Sequence, residues 1–535
     1  MPRDRWIGRA AMSPQGVAMS SPSLLRRLAP GICAAALFAI LGTAEAASPA
    51  TVTLQVDASA QGTPFPHFWE QMFGSGRAVL ALRDDYRKDI EAVHGATGFQ
   101  YVRFHGIFDR DVGVVYRDAN GKIAYNFSYV DQIYDGLLER GVKPFVELSF
   151  MPPELSSDPN KVHDFWYHPN VMPPKDYAEW DAMIRAFAQH LIARYGIDEV
   201  ASWYFEVWNE PNLAFWGGDP VQPTYFQLYD HTARALKAVS PRLRVGGPST
   251  AQAAWVPVFL KHVHDANLPV DFVSTHVYGD DTAQNVFKTG ENIPRADMVC
   301  RAVSKVHDEI AASPYPKLPL IFSEYNASYA NLPNVTDSVY MGPWMANTIR
   351  ECAGKVAIMS YWSFSDVFEE QGVVKTPFYG GFGLIAADRI EKPAYNAFAM
   401  LHRLGDTRLP LSSDSALATR RADGTVVLAV WNYAPPVGDT ASYTKGEPQG
   451  SSRHVDVDVS HLHAGAQATV WRLDEQHGNA VAAFDRMGRP DLPSREQIVQ
   501  LRAAGKMAKP ETVALHDGHL VLDIPPQGLI VVELR

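Results

Sequence analysis

The sequence predicts an α/β fold: a closed (β/α)8 TIM barrel with a C-terminal antiparallel β-sandwich. Three observations predict it. Between residues 60 and 405, short apolar runs rich in β-branched and aromatic residues alternate with longer amphipathic segments, eight times over. The short runs are apolar throughout, the pattern of a parallel sheet buried on both faces. Past Leu404 the helical segments give way to short strands separated by turn residues. A doubly wound open sheet is the other arrangement of such units. It wants a Gly-rich dinucleotide fingerprint, and no GxGxxG follows an early strand.

The elements follow in order. Residues 51–57 alternate apolar and polar, a half-buried strand outside the barrel count. Residues 65–73 read as the first barrel strand, and a helix over 83–93 stops at Gly95. Next come a strand at 99–104, a helix at 129–140 ended by Gly141, and a strand at 143–148. A long helix, 174–195, has Pro174 in its first turn and Gly196 after it. Strands at 202–206, 244–247, 271–275, 320–324 and 356–362 are separated by helices at 223–239, 254–265, 295–311 and 338–352. A helix at 394–404 closes the barrel. Beyond it, 416–420, 425–431, 452–459, 468–473, 512–515 and 520–534 read as strands, and 494–504 as a helix. The expected domains are therefore a leader at 1–46, a catalytic barrel at 60–405, and an accessory sandwich formed by 47–59 and 406–535. No Pro/Ser-rich linker separates barrel from sandwich, so the two are expected to pack together.

Composition narrows the function. Of 535 residues, 46% are hydrophobic and 20% charged, which is globular rather than disordered. A net charge of −11 argues against a nucleic-acid partner. Arg26 and Arg27 precede an apolar run at 28–41 and a small-residue site at Ala44-Glu45-Ala46. That pattern is a signal peptide cleaved near Ala46, so a periplasmic or secreted location is expected. The run is short for a membrane span. Of three cysteines, Cys33 leaves with the leader; Cys300 and Cys352 could pair in an oxidising compartment, but they lie in predicted helices, which favours two buried thiols. The 18 histidines include no HExxH pair and the cysteines no metal spacing, so neither metal nor cofactor is expected.

Two strands carry the chemistry. The run Trp203-Tyr204-Phe205-Glu206-Val207-Trp208-Asn209-Glu210-Pro211 starts as a buried strand and breaks at Pro211. Asn209 and Glu210 then sit at the C-terminal mouth of strand four, among aromatics. The run Leu320-Ile321-Phe322-Ser323-Glu324 is again an apolar strand ending in a Glu, strand seven by count. Active sites of such barrels lie at the C-terminal strand ends, so the two carboxyls face each other across the mouth. Paired carboxyls serve glycoside cleavage, one as proton donor and one as ionised partner.

These stretches resemble the Asn-Glu-Pro acid/base motif of the retaining (β/α)8 glycosidase clan and, together, glycoside hydrolase family 39, the family of β-xylosidases and α-L-iduronidases. Further support comes from Val102-Arg103-Phe104-His105, Thr275-His276-Val277-Tyr278-Gly279 and Tyr361-Trp362-Ser363. The resemblance implies Glu210 as general acid/base and Glu324 as nucleophile. It implies substrate contacts from Asn209, His105, His276, Tyr278, Trp362, Glu369 and Glu370, with Arg103 lowering the nucleophile's pKa and Phe165 walling the pocket. Without carboxylate partners apparent in the sequence, the two histidines do not suggest a metal site. Asp280, Asp281, Glu369 and Glu370 would repel a uronate and suit a neutral sugar, so the expected substrate is a xylo-oligosaccharide losing its terminal xylose. The alternatives are an α-L-iduronidase or another retaining exo-glycosidase, and a carbohydrate-binding protein on an inactive barrel, whose mark would be loss of a glutamate. The sequence is silent on oligomeric state.

Overall fold

The computed structural model describes residues 51–463 and 465–535. The expected leader, with Cys33, lies outside the described residues. Eight parallel strands close into a barrel. In chain order they are Met72–Gly74, Tyr101–Phe104, Lys143–Glu147, Tyr204–Glu206, Arg244–Thr250, Phe272–Tyr278, Leu320–Asn326 and Ile358–Tyr361, referred to below as barrel strands one to eight. They are short because only a few residues of each line the narrow interior, while the helices outside bury their other face.

Several expectations change. Strand one is three residues long, not 65–73. Thr63–Pro64 instead pairs with Thr407–Arg408 at the edge of a second sheet, and past Pro66, which cannot donate to a ladder, the chain runs irregularly and buries Phe68 and Trp69 in the core. The first helix is Asp84–Thr97 and passes through Gly95; Gly98, at φ 64°, ends it. A glycine inside a helix costs about 1 kcal/mol, which packing overrides. Strands six and seven run on to Tyr278 and Asn326, beyond the expected ends, and so carry side chains to the mouth.

The C-terminal region packs two sheets face to face. One has seven strands and the other three, Thr51–Asp57, Arg453–Ser460 and His519–Ile524. Leu54, Val56, Leu428, Val430, Val457, Leu522 and Val532 fill the space between them. Thr51–Asp57 runs parallel to Arg453–Ser460, an exception to the antiparallel pattern. Helix Arg495–Gly505 starts with a capping box between Ser494 and Gln497. A second helix, Ala480–Arg486, was not foreseen, being under two turns long. Val427, Leu473 and Leu529 belong to the same apolar core as the barrel helices, so no linker intervenes.

Cys300 and Cys352 form a disulfide rather than two free thiols. Their helices, Arg295–Ala311 and Met341–Cys352, are barrel neighbours, which brings the Cα atoms to 5.1 Å. Among the described residues no helix is long and apolar enough to cross a membrane.

Candidate active site

The interior changes character along the strands. Met72, Tyr101, Phe145, Phe272, Ile321 and Ile358 plug the end where the strands begin. Further along, strands two, three and four present Arg103, Glu147 and Glu206, all buried. Arg103 is the centre of this layer. Its guanidinium donates to Glu206 Oε2 (2.6 Å), Glu324 Oε1 (2.7 Å) and Asn209 Oδ1 (2.9 Å), and lies 2.8 Å from Glu147 Oε2. A buried arginine requires such company, because an unpaired one would bear the full cost of desolvation.

Glu324 reaches this layer by a β-bulge. Phe322 and Tyr325 both pack outward against the helices, although they are three residues apart. The pairing of strand seven shifts register on both sides of that interval. Ser323 and Glu324 therefore both face inward, where strict alternation admits only one. Two donors then hold Glu324, Arg103 on Oε1 and the Tyr278 hydroxyl on Oε2 at 2.6 Å. Burial pushes its pKa up, and Arg103, His105 and Tyr278 work against that rise.

Glu210 sits on a strained loop. Trp208 and Glu210 adopt φ values of 72° and 41°, the left-handed region that costs a non-glycine residue about 1–2 kcal/mol. Fixed contacts hold it there: Trp208 Nε1 donates to Phe215 O (2.8 Å) and the Glu210 amide to Ser249 O (2.8 Å). Burial raises the Glu210 pKa well above the usual carboxyl range. Glu324, Asp281 and Glu370 add to the rise, and Arg103 only partly offsets it. One oxygen of Glu210 and one of Glu324 lie within 4.8 Å of each other, with His276 between them. The same three residues bring donor atoms together, but the Arg103 guanidinium already lies on Glu324 Oε1 and its positive charge disfavours a metal ion there; His67, Glu70 and His402 form a separate cluster.

The remaining residues converge unequally. His276 Nδ1 is 3.0 Å from Glu210 Oε1, and His105 Nδ1 is 2.7 Å from Glu147 Oε2. Both histidines thus have carboxyl partners, contrary to the sequence expectation; separate strands supply them, so spacing could not show it. Burial works against a charged His105, but Glu147 and Glu324 outweigh it and raise its pKa. The Trp362 ring stands 4.8 Å from the His105 ring, on the space above Gly74, where a Cβ would lie 2.0 Å from Trp362 Cε3. Phe165 lies 6.4 Å from the His105 ring.

The two strand-eight glutamates part company. Glu370 is buried, 3.6 Å from His105 Nε2, and burial pushes its pKa up to about 8. Glu369 turns away to Arg83 (2.6 Å) and Arg77 (3.1 Å), so its oxygens are committed to guanidiniums rather than open to a ligand. Glu147, Glu206 and Ser323 were not singled out from the sequence. Their available signal was a polar residue inside an otherwise apolar strand.

Two buried carboxyls of unequal acidity, within a sugar's width at the mouth of a closed (β/α)8 barrel, make this a glycoside hydrolase. The chain belongs to glycosyl hydrolases family 39, whose sequence profile matches residues 52–519. It is 37% identical to a beta-xylosidase of Geobacillus stearothermophilus over 484 residues, 88% of this chain and 93% of that one. The structure of a monomeric beta-xylosidase from Caulobacter crescentus superposes with a TM-score of 0.83 at 35% identity, covering 91% of this chain and 99% of the other. Human alpha-L-iduronidase is more distant, 28% identical over 284 residues, 48% of this chain and 41% of that protein.

Proposed function

We propose that the protein is a retaining exo-β-xylosidase that removes terminal xylose from short xylo-oligosaccharides. The observation that carries this is the pair Glu210 and Glu324, with oxygens within 4.8 Å. Oxygens this close suit direct attack by the second carboxylate better than a water held between it and the sugar. Glu210, the more strongly raised of the two, gives its proton to the leaving oxygen as the glycosidic bond breaks. Glu324, oriented by Arg103 and Tyr278, bonds to the anomeric carbon. Water then displaces Glu324 and yields its proton to Glu210. Asn209 has its carbonyl taken by Arg103, which leaves its amide N–H groups for the sugar hydroxyl next to the reacting carbon. Trp362 supplies a ring face, and His105 and Glu370 supply polar contacts.

The exo reading is supported by a bridge across the mouth. The Trp166 amide donates to Glu370 O at 2.8 Å, tying the strand-three loop to the strand-eight loop and closing one side. Xylose is favoured over a uronate, in part by Asp281, whose negative charge bears on Glu210, and not by the two strand-eight acids. Glu369 is neutralised by arginines, and Glu370 holds its proton below about pH 8. Instead, the guanidiniums at the mouth are already spent, Arg103 on its carboxylates and Arg77 on Asp111 and Glu369. We further propose an exported protein. The leader pattern motivates this, and the Cys300–Cys352 disulfide suits an oxidising compartment.

Hydrolysis of p-nitrophenyl β-D-xyloside, followed by proton NMR, tests the reading. β-Xylose should appear first, and Glu324→Ala should abolish turnover. An inert wild type, or turnover that survives Glu324→Ala, overturns it.

A further inference from the structure

A chain of buried hydrogen bonds joins the two carboxyls beneath the sugar site, and its directions are fixed by chemistry. Glu206 Oε2 accepts from Arg103 Nε (2.6 Å) and Oε1 accepts from the Ser323 hydroxyl (2.6 Å). An arginine-bound carboxylate has only lone pairs to offer, so the Ser323 proton is spent on Glu206. Toward His276 Nε2, 3.1 Å away, Ser323 Oγ can then only accept. His276 Nε2 must therefore carry a proton. The imidazole is fully buried and faces Arg103 and His105, so burial and those two groups hold its pKa well below the ordinary value and it keeps one proton, not two. That leaves a lone pair on Nδ1, pointing at Glu210 Oε1 at 3.0 Å and at Glu324 Oε1 at 3.6 Å. A lone pair repels an ionised carboxylate and accepts a hydrogen bond from a protonated one.

We propose that Ser323 and Glu206 are positioning residues that lock the Nε2–H tautomer of His276 and thereby keep the acid proton on Glu210. Neither needs to touch the sugar; they act through His276. The proposal rests on Glu210 being the general acid. In the first step the proton leaves Glu210 for the glycosidic oxygen while the C1–O bond breaks and C1 bonds to Glu324. In the second, water gives a proton to Glu210 as its oxygen bonds to C1 and Glu324 departs. The Nδ1 lone pair makes the intervening Glu210 carboxylate a stronger base, so one tautomer serves both steps. The other groups that bear on Glu210 are Glu324, Asp281, Glu370 and Arg103, none of which is itself altered by a change at Ser323.

The test is Ser323→Ala in the full chain. Without the hydroxyl, His276 can carry its proton on Nδ1 and donate to ionised Glu210. The basic limb of kcat/KM should then move to lower pH by about one unit. Loss of acid assistance should also split the substrates, because p-nitrophenolate leaves without a proton and a sugar alkoxide does not. We expect kcat/KM to fall about tenfold or more on xylobiose and less than about threefold on the aryl xyloside. An unmoved basic limb with equal losses on both substrates would mean that Ser323 is only structural and would overturn the proposal. Should that variant not fold, the wild type decides. Labelled with 15N-histidine, its His276 resonances are those lost in His276→Gln, and an Nδ1–H tautomer overturns the proposal. Glu210→Ala separates the underlying reading: if it loses both substrates equally, the acid assignment fails instead.

Discussion

The floor and the mouth of this barrel are built on the same eight strands from opposite materials. At the floor, Tyr101, Phe145, Phe272 and Ile321 close the interior with rings and branched chains. One or two pleats on, Arg103, Glu147, Glu206, Ser323 and His276 fill the same cross-section with charges and hydrogen bonds. The floor gains stability from every atom removed from water. The charged layer gains little net stability, since desolvation offsets most of the attraction between buried ions. What it gains is placement: Glu324 and Asn209 are held to fixed positions by one guanidinium. The difference teaches that a strand's first residues here specify the fold and its last residues the reaction.

That contrast can be broken by substitution. The largest effect should come from a pair of variants three residues apart on strand seven. Glu324→Ala should lower kcat by about 10^4-fold or more while the thermal midpoint stays within a few degrees. Ile321→Ala should do the reverse, costing about 2–5 kcal/mol in denaturant unfolding with kcat of the folded fraction little changed. If Ile321→Ala spared stability, the floor would not be the load-carrying layer. Next, Arg103→Met should cost about 3–5 kcal/mol, because Glu147, Glu206 and Glu324 lose their common partner; urea unfolding at neutral pH measures it.

A smaller effect is expected from pH. Glu370, with a folded pKa of about 8, keeps a proton that the unfolded chain has lost above about pH 4.3. The unfolded state binds fewer protons in that window, so stability is fully present below it and falls as pH rises toward 8. Glu370→Gln cannot ionise and should lose less stability than wild type between pH 5 and pH 8, as read by thermal midpoints. A constant gap across that range would contradict the buried-carboxyl reading. The smallest effect belongs to the edge of the mouth. Glu369→Gln weakens ion pairs to Arg83, which is about half exposed, and to Arg77, and should change stability by about 1 kcal/mol or less. Xylobiose KM should be nearly unchanged if Glu369 belongs to the rim; a large rise would restore it to the sugar site.

Much of this was legible beforehand because it depends on local pattern. Eight apolar runs separated by amphipathic helices announce a barrel, and helix 295–311 is found at those bounds. The Asn209-Glu210-Pro211 break and the Glu324 strand point to the mouth, because strands must end there. What local pattern could not show involves partners distant in sequence. The carboxyls beside His105 and His276, the arginines on Glu369 and the Cys300–Cys352 bond all join different barrel units. Pro66 stands inside the apolar run 65–73, and its missing N–H is the local reason why strand one begins only at Met72.

The sequence by itself determined the fold class, the family and which two glutamates stand at the strand ends, since periodicity, turn residues and motif spacing are properties of the chain. Tertiary structure alone decided how those glutamates differ. The bulge at Ser323 and Glu324 turns both side chains inward. Arg103 and Tyr278 then hold Glu324, while burial and neighbouring carboxylates raise Glu210. Acidity follows from what surrounds a group in space, and a linear sequence does not contain that arrangement until it has folded.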